Sequence, residues 1–178
     1  MKLSPVMQKF ILHWGEMGTR WGINRTVAQV HALLYLSPKA LNAEEISDTL
    51  GVARSNVSNC LRELQSWGIV RTVHVFGDRR DHFESIKDVW EMFMVVLQER
   101  KRREIDPTLA LLRASVAELE KSGAEDTYAR TRLKEMLEFL ETTTACYNQM
   151  RHFPPSLLRK TLKLGDTLKE RFAEAVKQ

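Results

Sequence analysis

Six polar side chains recur along residues 54–62 and could together form a hydrogen-bonding surface. They are Arg54, Ser55, Asn56, Ser58, Asn59 and Arg62. Arginine presents a planar set of N–H donors, serine can donate and accept, and asparagine carries a donor beside an acceptor. No carboxylate interrupts the set before Glu63, so the surface suits a ligand with exposed donors and acceptors. An ordinary solvated helix face is the alternative, because polar faces are common.

The apolar residues of the same stretch place these polar side chains on one side of a helix. They recur at steps of three and four and are Val57, Cys60, Leu61 and Leu64. Such spacing predicts a helix from about Arg54 to Trp67 with one buried stripe. A shorter helix is predicted before it, over residues 43–50, because Asn42 can cap its start and Gly51 can end it.

Two helices joined by a short turn that contains glycine form a helix-turn-helix, whose second helix can enter the major groove of DNA. That groove admits one α-helix, and its base edges offer partners that arginine, asparagine and serine can match. The polar face is therefore predicted to bind double-stranded DNA. A helix-turn-helix can also serve as a protein-interaction module without specific DNA binding, and an absence of salt-dependent duplex binding would favour that alternative.

A β-hairpin is predicted directly behind the second helix. Residues 69–76 are mostly β-branched or aromatic, which is typical of a strand, and the return strand begins at His82. Residues 77–81 supply turn formers together with the adjacent arginines Arg79 and Arg80. A hairpin in this position is a wing, and its arginines can reach phosphates or an adjacent minor groove. A plain surface hairpin is the alternative.

The order of these elements resembles the winged-helix regulators of the MarR superfamily. The runs VFGDRRDHFESIKDVWEMF and ERKRREIDP are similar to its GbsR-like branch, and the resemblance covers residues from about 5 to about 120. It implies a dimeric bacterial transcription factor in which Asp78 orients the wing and Arg80 enters the minor groove. The chain departs from the familiar pattern by continuing into a longer helical tail.

Composition predicts a folded protein with an anionic partner. Of the 178 residues, 43% are apolar and 28% are charged, and the formal net charge is +4. Between residues 51 and 83 five arginines accompany three carboxylates, so non-specific affinity for DNA is expected to be moderate and salt-sensitive. The two cysteines, Cys60 and Cys146, stand far apart, which argues for a reducing compartment and against a zinc site.

The sequence shows no motif of a catalytic, metal or cofactor site. It contains no HExxH, no glycine-rich phosphate loop and no GxSxG, and its five histidines are scattered. No apolar run is long enough to cross a membrane, and the first ten residues lack the apolar core of a signal peptide. We therefore expect a cytoplasmic protein that is not an enzyme and needs no cofactor.

The whole chain is predicted to be mainly α-helical with a small β-wing. Residues 1–86 are predicted to form the winged helix-turn-helix domain, including an N-terminal helix that starts at Pro5. The apolar stripe of that helix is Val6, Phe10, Trp14, Met17 and Trp21. Residues 87–178 are predicted to form a helical region for dimerisation, with a possible effector site. A homodimer is expected because one winged-helix unit reads only a short half-site.

Four helices are predicted in the region after the wing. Breaks are expected at Asp106-Pro107, at Ser122-Gly123 and before a last helix from Ser156. The second of these helices has a narrow apolar edge formed by Leu109, Leu112, Val116 and Leu119. Such edges favour packing against another helix or a second copy of the chain.

Four tryptophans are candidates for binding a small-molecule effector. They are Trp14, Trp21, Trp67 and Trp90. Aromatic faces can surround a quaternary ammonium, and the GbsR-like resemblance implies choline-type effectors for some members. Plain core packing is the alternative for aromatic residues at helical spacing. Cys60, on the apolar stripe, is predicted to be a buried and unreactive thiol.

Overall fold

The computed structural model of the chain describes residues 2–122, 127–153 and 157. It is mainly helical with a small antiparallel sheet, which confirms the predicted fold class. In chain order the elements are α1 (Pro5–Arg20), α2 (Arg25–Leu36), β1 (Leu41–Asn42), α3 (Ala43–Leu50), α4 (Arg54–Ser66), β2 (Val70–Val73), β3 (His82–Ser85), α5 (Val89–Arg100), a π-helical segment (Lys101–Ile105), α6 (Asp106–Ser122) and α7 (Thr127–Met150). Two compact units are present, one ending at Glu99 and the other beginning at Arg100.

Local capping residues fix the ends of the helices in the first unit. The side chain of Asn42 accepts a hydrogen bond from the N–H of Glu45 at 3.0 Å, and the carboxylate of Glu45 accepts one from the N–H of Asn42 at 3.0 Å. This reciprocal pair is a capping box. Gly51 ends α3 with a φ of 65°, in the left-handed region that glycine adopts without strain. The predicted bounds of α3 are confirmed.

The core of the first unit lies around α2 and α4. The stripe predicted for α4 is confirmed, because Val57, Cys60, Leu61 and Leu64 are all buried. They pack in one cluster with Val30, Leu33, Leu34, Leu41, Ile46 and Ile69. Truncation of such a fully buried side chain to alanine typically costs about 2–5 kcal/mol, so these residues decide which face of α4 is left for solvent.

The first helix approaches α2 closely at two glycines. Its buried positions are Ile11, Gly15 and Gly18, whereas Val6 is 78% and Trp21 49% exposed, so the predicted stripe is wrong at both ends. A Cβ added at Gly18 would lie 2.5 Å from the Cβ of Ala28. The two helices therefore approach more closely than any larger side chain at Gly18 would allow.

The sheet has three antiparallel strands in the order β1-β3-β2, where two were predicted. The extra strand, β1, pairs its two residues with Phe83 and His82. The strand predicted over residues 69–76 is also shorter, because β2 ends at Val73. Val75 and Phe76 are exposed in the turn that follows, since the hydrogen bond from the Asp78 N–H to the Val75 carbonyl already turns the chain there.

Lys87 joins the end of the hairpin to the C-terminus of α2. Its ammonium donates hydrogen bonds to the carbonyls of Leu34, Tyr35 and Ser37 at 2.7, 2.9 and 2.7 Å. The last carbonyls of a helix lack partners within the helix, and the helix dipole favours a cation beside them. Desolvation in this position lowers the pKa of Lys87.

In the second unit, Leu109, Leu112 and Val116 of the predicted apolar edge are buried. The helices α6 and α7 are joined by ion pairs, with Arg113 2.8 Å from Glu141 and Lys134 2.6 Å from Glu120. A break in helical structure was predicted at Asp106-Pro107, and that prediction is wrong. The preceding segment is π-helical and continues directly into α6, so Pro107 lies within a continuous helical stretch. The last helix predicted from Ser156 lies outside the described residues except for Leu157, which is helical.

Candidate nucleic-acid interface

The six polar side chains of α4 lie exposed on the face opposite the core. This holds for Arg54, Ser55, Asn56, Ser58, Asn59 and Arg62. The helix begins after Ala53, which provides no side-chain cap, and its first turn contains no acidic residue. The partial positive charge at the start of α4 and the guanidinium of Arg54 therefore favour an anion on the same side.

The first turn of α4 has few internal partners, and later turns have more. The side chains of Arg54 and Ser55 make no hydrogen bond within the described residues. The amide oxygen of Asn56 accepts from the thiol of Cys60 at 3.6 Å, and the amide N–H groups of Asn56 have no hydrogen-bond partner among the described residues. Further along the face, Arg62 donates to the amide oxygen of Asn59. The donors nearest the start of the helix are thus the most available to a ligand.

One side-chain contact holds the wing against α4, and another joins the two strands of the wing. The amide of Gln65 donates to the hydroxyl of Thr72 on β2 at 2.9 Å. Across the hairpin, Arg71 Nη2 lies 2.6 Å from Glu84 Oε1. Because β2 also follows α4 after a turn at Gly68, the hairpin has a defined position beside the polar face.

At the tip of the wing, Asp78 holds Arg80 through its side chain and its backbone. Nε of Arg80 donates to Oδ1 at 3.0 Å, Nη2 donates to Oδ2 at 2.6 Å, and the backbone N–H of Arg80 donates to Oδ1 at 2.9 Å. These hydrogen bonds hold the pKa of Asp78 well below its usual range and raise the pKa of Arg80. The contact expected between the two residues is present, and its role at DNA stays a prediction.

Two further residues belong to this network and were missed in the sequence. Nη1 of Arg80 donates to Oε2 of Glu44, in the first turn of α3, at 3.2 Å. His82 is buried, with Nδ1 2.9 Å from the carbonyl of Arg80 and Nε2 3.6 Å from Oδ2 of Asp78. Arg79 is exposed and has no polar partner in the part of the chain that the structure describes. The adjacent arginines therefore differ. Arg80 is held by carboxylates, whereas Arg79 has no such partner among the described residues.

The candidate effector residues lie on different elements of the first unit. The ring of Trp14 on α1 meets the ring of Trp21, the C-cap of that helix, edge to face with centroids 5.9 Å apart, and Trp21 is 49% exposed. Trp90 meets Phe93 in the same way at 6.3 Å, and Trp67 follows α4 as its C-cap, packed against the core. These contacts are those of packed aromatic residues, and a ligand site among the four tryptophans stays a prediction.

His31 lies beside Trp14 and is buried in α2. The ring centroids are 6.4 Å apart, and Nε2 of His31 has no hydrogen-bond partner among the described residues. Burial, with a smaller effect of Lys87, lowers the pKa of His31 from 6.5 to about 4. The imidazole is therefore neutral at ordinary pH.

Within residues 2–122 and 127–153, no three His, Cys, Asp or Glu side chains are grouped so that they could hold a metal ion. No helix of those ranges is long and apolar enough to cross a membrane.

Residues 21–81 match the sequence model of the MarR family. The matched segment runs from the end of α1 to the turn of the wing. The curated relatives include two proteins of Bacillus subtilis (strain 168). YvaV, provisionally named an HTH-type transcriptional regulator, is 26% identical over 87 residues, which are 49% of this chain and 49% of YvaV. The HTH-type transcriptional repressor OpcR is 26% identical over 74 residues, 42% of this chain and 40% of OpcR. The alignments span about half the length of these relatives, or less.

A crystal structure of a transcriptional regulator has a similar fold. The TM-score is 0.66 at 20% sequence identity, with 82% of this chain and 95% of that chain covered. The similarity extends beyond residues 21–81 and concerns the fold alone.

Proposed function

We propose that this protein is a sequence-specific DNA-binding transcriptional regulator, a repressor, that acts as a homodimer. The observation that carries the proposal is the exposed face of α4, which is free of carboxylates through Arg62 and stands beside a wing held by Gln65 and Thr72. In this proposal α4 lies in the major groove and the wing lies at the minor groove. The names of the two curated relatives, a regulator and a repressor, support it.

The side chains of the interface divide by position. Arg54, Ser55 and Asn56, in the first turn of α4, face base edges. Ser58, Asn59 and Arg62 bind further along the groove, and Arg79 binds phosphate. Arg80 enters the minor groove in the direction that Asp78 gives it.

The remaining parts of the proposal follow from the same function. Residues 1–86 bind DNA, and residues 87–178 form the dimer and an effector region. The wing sequence supports a place in the GbsR-like branch, and the tryptophans supply a site for a quaternary ammonium effector. A protein of this kind performs no enzymatic reaction and works in the cytoplasm of a bacterium, where the chromosome is.

The first experiment separates base reading from backbone binding. A duplex is selected from a random pool with the wild-type protein, and affinities for it and for random duplex are measured by fluorescence anisotropy. Asn56→Ala is expected to cost about 1–3 kcal/mol on the selected duplex and much less on random duplex. Ser66→Ala, at the other end of α4, is the control and is expected to change neither affinity. If the wild type shows no salt-dependent duplex binding, the chain is a protein-interaction module and the proposal fails.

The wing arginines are tested on the same duplex at several salt concentrations. Arg79→Ala is expected to reduce the salt slope by about one, because one phosphate contact is lost. Arg80→Ala is expected to weaken binding and to remove a preference for A·T-rich flanks, whose narrow minor groove attracts arginine. Asp78→Ala should resemble Arg80→Ala. If the preference for flanks survives in Arg80→Ala, Arg80 does not lie in the minor groove.

A further inference from the structure

Phe76 is the most exposed large apolar side chain of the described residues, and it lies at the tip of the wing. Its relative exposure is 107%, compared with 43% for the adjacent Val75. Scattered apolar residues are common on protein surfaces, so exposure alone does not define a binding site. The turn that carries Phe76 and the charges beside it supply the further argument.

A tight turn fixes Phe76 in this exposed position. The hydrogen bond from the N–H of Asp78 to the carbonyl of Val75, 3.1 Å long, closes a four-residue turn. The third residue, Gly77, has a φ of 82°, and no other residue type has a positive φ in the described ranges. This combination matches a type II turn with Phe76 at its second position. The ring therefore stands at the corner of the turn, clear of both strands.

The two arginines of the wing follow this turn directly in the chain. Asp78, its last residue, directs the guanidinium of Arg80, and Arg79 is exposed without a polar partner among the described residues. An apolar ring beside arginines suits the minor groove of DNA, which has a negative potential and accepts apolar side chains between base steps. Arg80 is already paired with Asp78 and Glu44, whereas a neutral protein surface or an uncharged membrane offers no counter-charge to the exposed Arg79.

We infer that Phe76 is an apolar wedge for the minor groove, an inference that rests on the proposed function. The ring enters the groove beside the arginines and partly unstacks one flexible pyrimidine–purine step next to the half-site, which bends the duplex. Because Gln65 and Thr72 hold the hairpin against α4, the wedge enters at a set distance from the bases that α4 reads. The protein then distinguishes between sequences at a base step to which it makes no hydrogen bond.

The test uses the duplex selected with the wild-type protein, labelled at both ends for resonance energy transfer. A 2-aminopurine replaces adenine at the pyrimidine–purine step beside the half-site and reports unstacking. Phe76→Ala is expected to weaken binding about tenfold and to reduce both the bend and the 2-aminopurine signal. The salt slope should stay unchanged, because no charge is lost. Phe76→Leu keeps an apolar wedge and is expected to retain most of the bend.

Val75→Ala, in the same turn, is the matched control and is expected to bind and bend like the wild type. Thermal unfolding should be unchanged in Phe76→Ala and Phe76→Leu, since the ring of Phe76 buries no surface in the free protein. If the wild type binds its selected duplex and Phe76→Ala binds and bends it equally, the wedge is refuted while the proposed function stands. Equal losses in Val75→Ala would also refute it, because they would indicate a general disturbance of the hairpin. A wild type without salt-dependent duplex binding would refute both.

Discussion

Replacing His31 should remove a large part of the acid sensitivity of the first unit. The ring is buried without a partner for Nε2 in the described residues, and its pKa is lowered from 6.5 to about 4. When the folded protein has the lower pKa, the unfolded chain takes up the proton first as the pH falls. The stability that depends on neutral His31 is therefore complete above pH 6.5 and is lost as the pH falls towards 4.

The expected change in the free energy of unfolding follows from the lowered pKa of His31. One pKa unit corresponds to about 1.4 kcal/mol, so a fall from 6.5 to about 4 corresponds to about 3 kcal/mol at most. Between pH 7.5 and pH 5.0, this one ring should lower the free energy of unfolding by about 2 kcal/mol. His31→Gln cannot titrate, so its loss over the same interval should be smaller than that of the wild type by about 2 kcal/mol.

Urea unfolding followed by tryptophan fluorescence measures this effect in the correct unit. All four tryptophans lie before Arg100, so the signal reports on the first unit alone. His13→Gln, at an exposed position on α1, is the control and should keep the wild-type difference between the two pH values. The reasoning would be refuted if the free energy of unfolding fell equally in the wild type and in His31→Gln between the two pH values. Such a result would show that His31 becomes protonated in the folded protein.

Three further predictions follow from single contacts. Glu44→Gln should tighten duplex binding about two- to fivefold in anisotropy titrations, because it removes a carboxylate that competes for Arg80; weaker binding would mean that Glu44 positions the arginine for DNA. Lys87→Met should lower the free energy of unfolding in urea by about 1–2 kcal/mol, because the last carbonyls of α2 lose their cation; an unchanged midpoint would contradict this. Gly18→Ala should cost about 1–3 kcal/mol in the same assay, since its Cβ meets Ala28, even though alanine favours a helix; a stabilised variant would show that α1 and α2 can separate freely.

The parts of the fold that depend on neighbours in the chain could be predicted from the sequence. Asn42, Glu45 and Gly51 determine the bounds of α3 through contacts that span only a few residues. The buried stripe of α4 could be predicted for the same reason, and it determines which polar side chains face solvent. In contrast, β1 has two residues, too few for any periodic pattern, and it forms only because β3 offers an edge beside it.

The parts of the site that could not be predicted from the sequence are contacts between segments that lie far apart in the chain. Glu44 and Arg80 are 36 residues apart, and no spacing rule indicates that the first turn of α3 meets the tip of the wing. The packing role of the glycines in α1 could not be predicted for a different reason. In a sequence, Gly15 and Gly18 weaken a helix, whereas in the structure their missing side chains allow α2 to approach.

Cys60 lies in the buried stripe of α4, and desolvation raises the pKa of its thiol. Since the thiolate is the reactive form, a disulfide reagent can modify Cys60 only when α4 moves away from the core. Cys146 is exposed and supplies, within the same chain, the rate of an accessible thiol. The ratio of the two labelling rates therefore measures the equilibrium for local opening of α4. A duplex bound to the opposite face of that helix slows the labelling of Cys60 by the factor with which it stabilises the closed state.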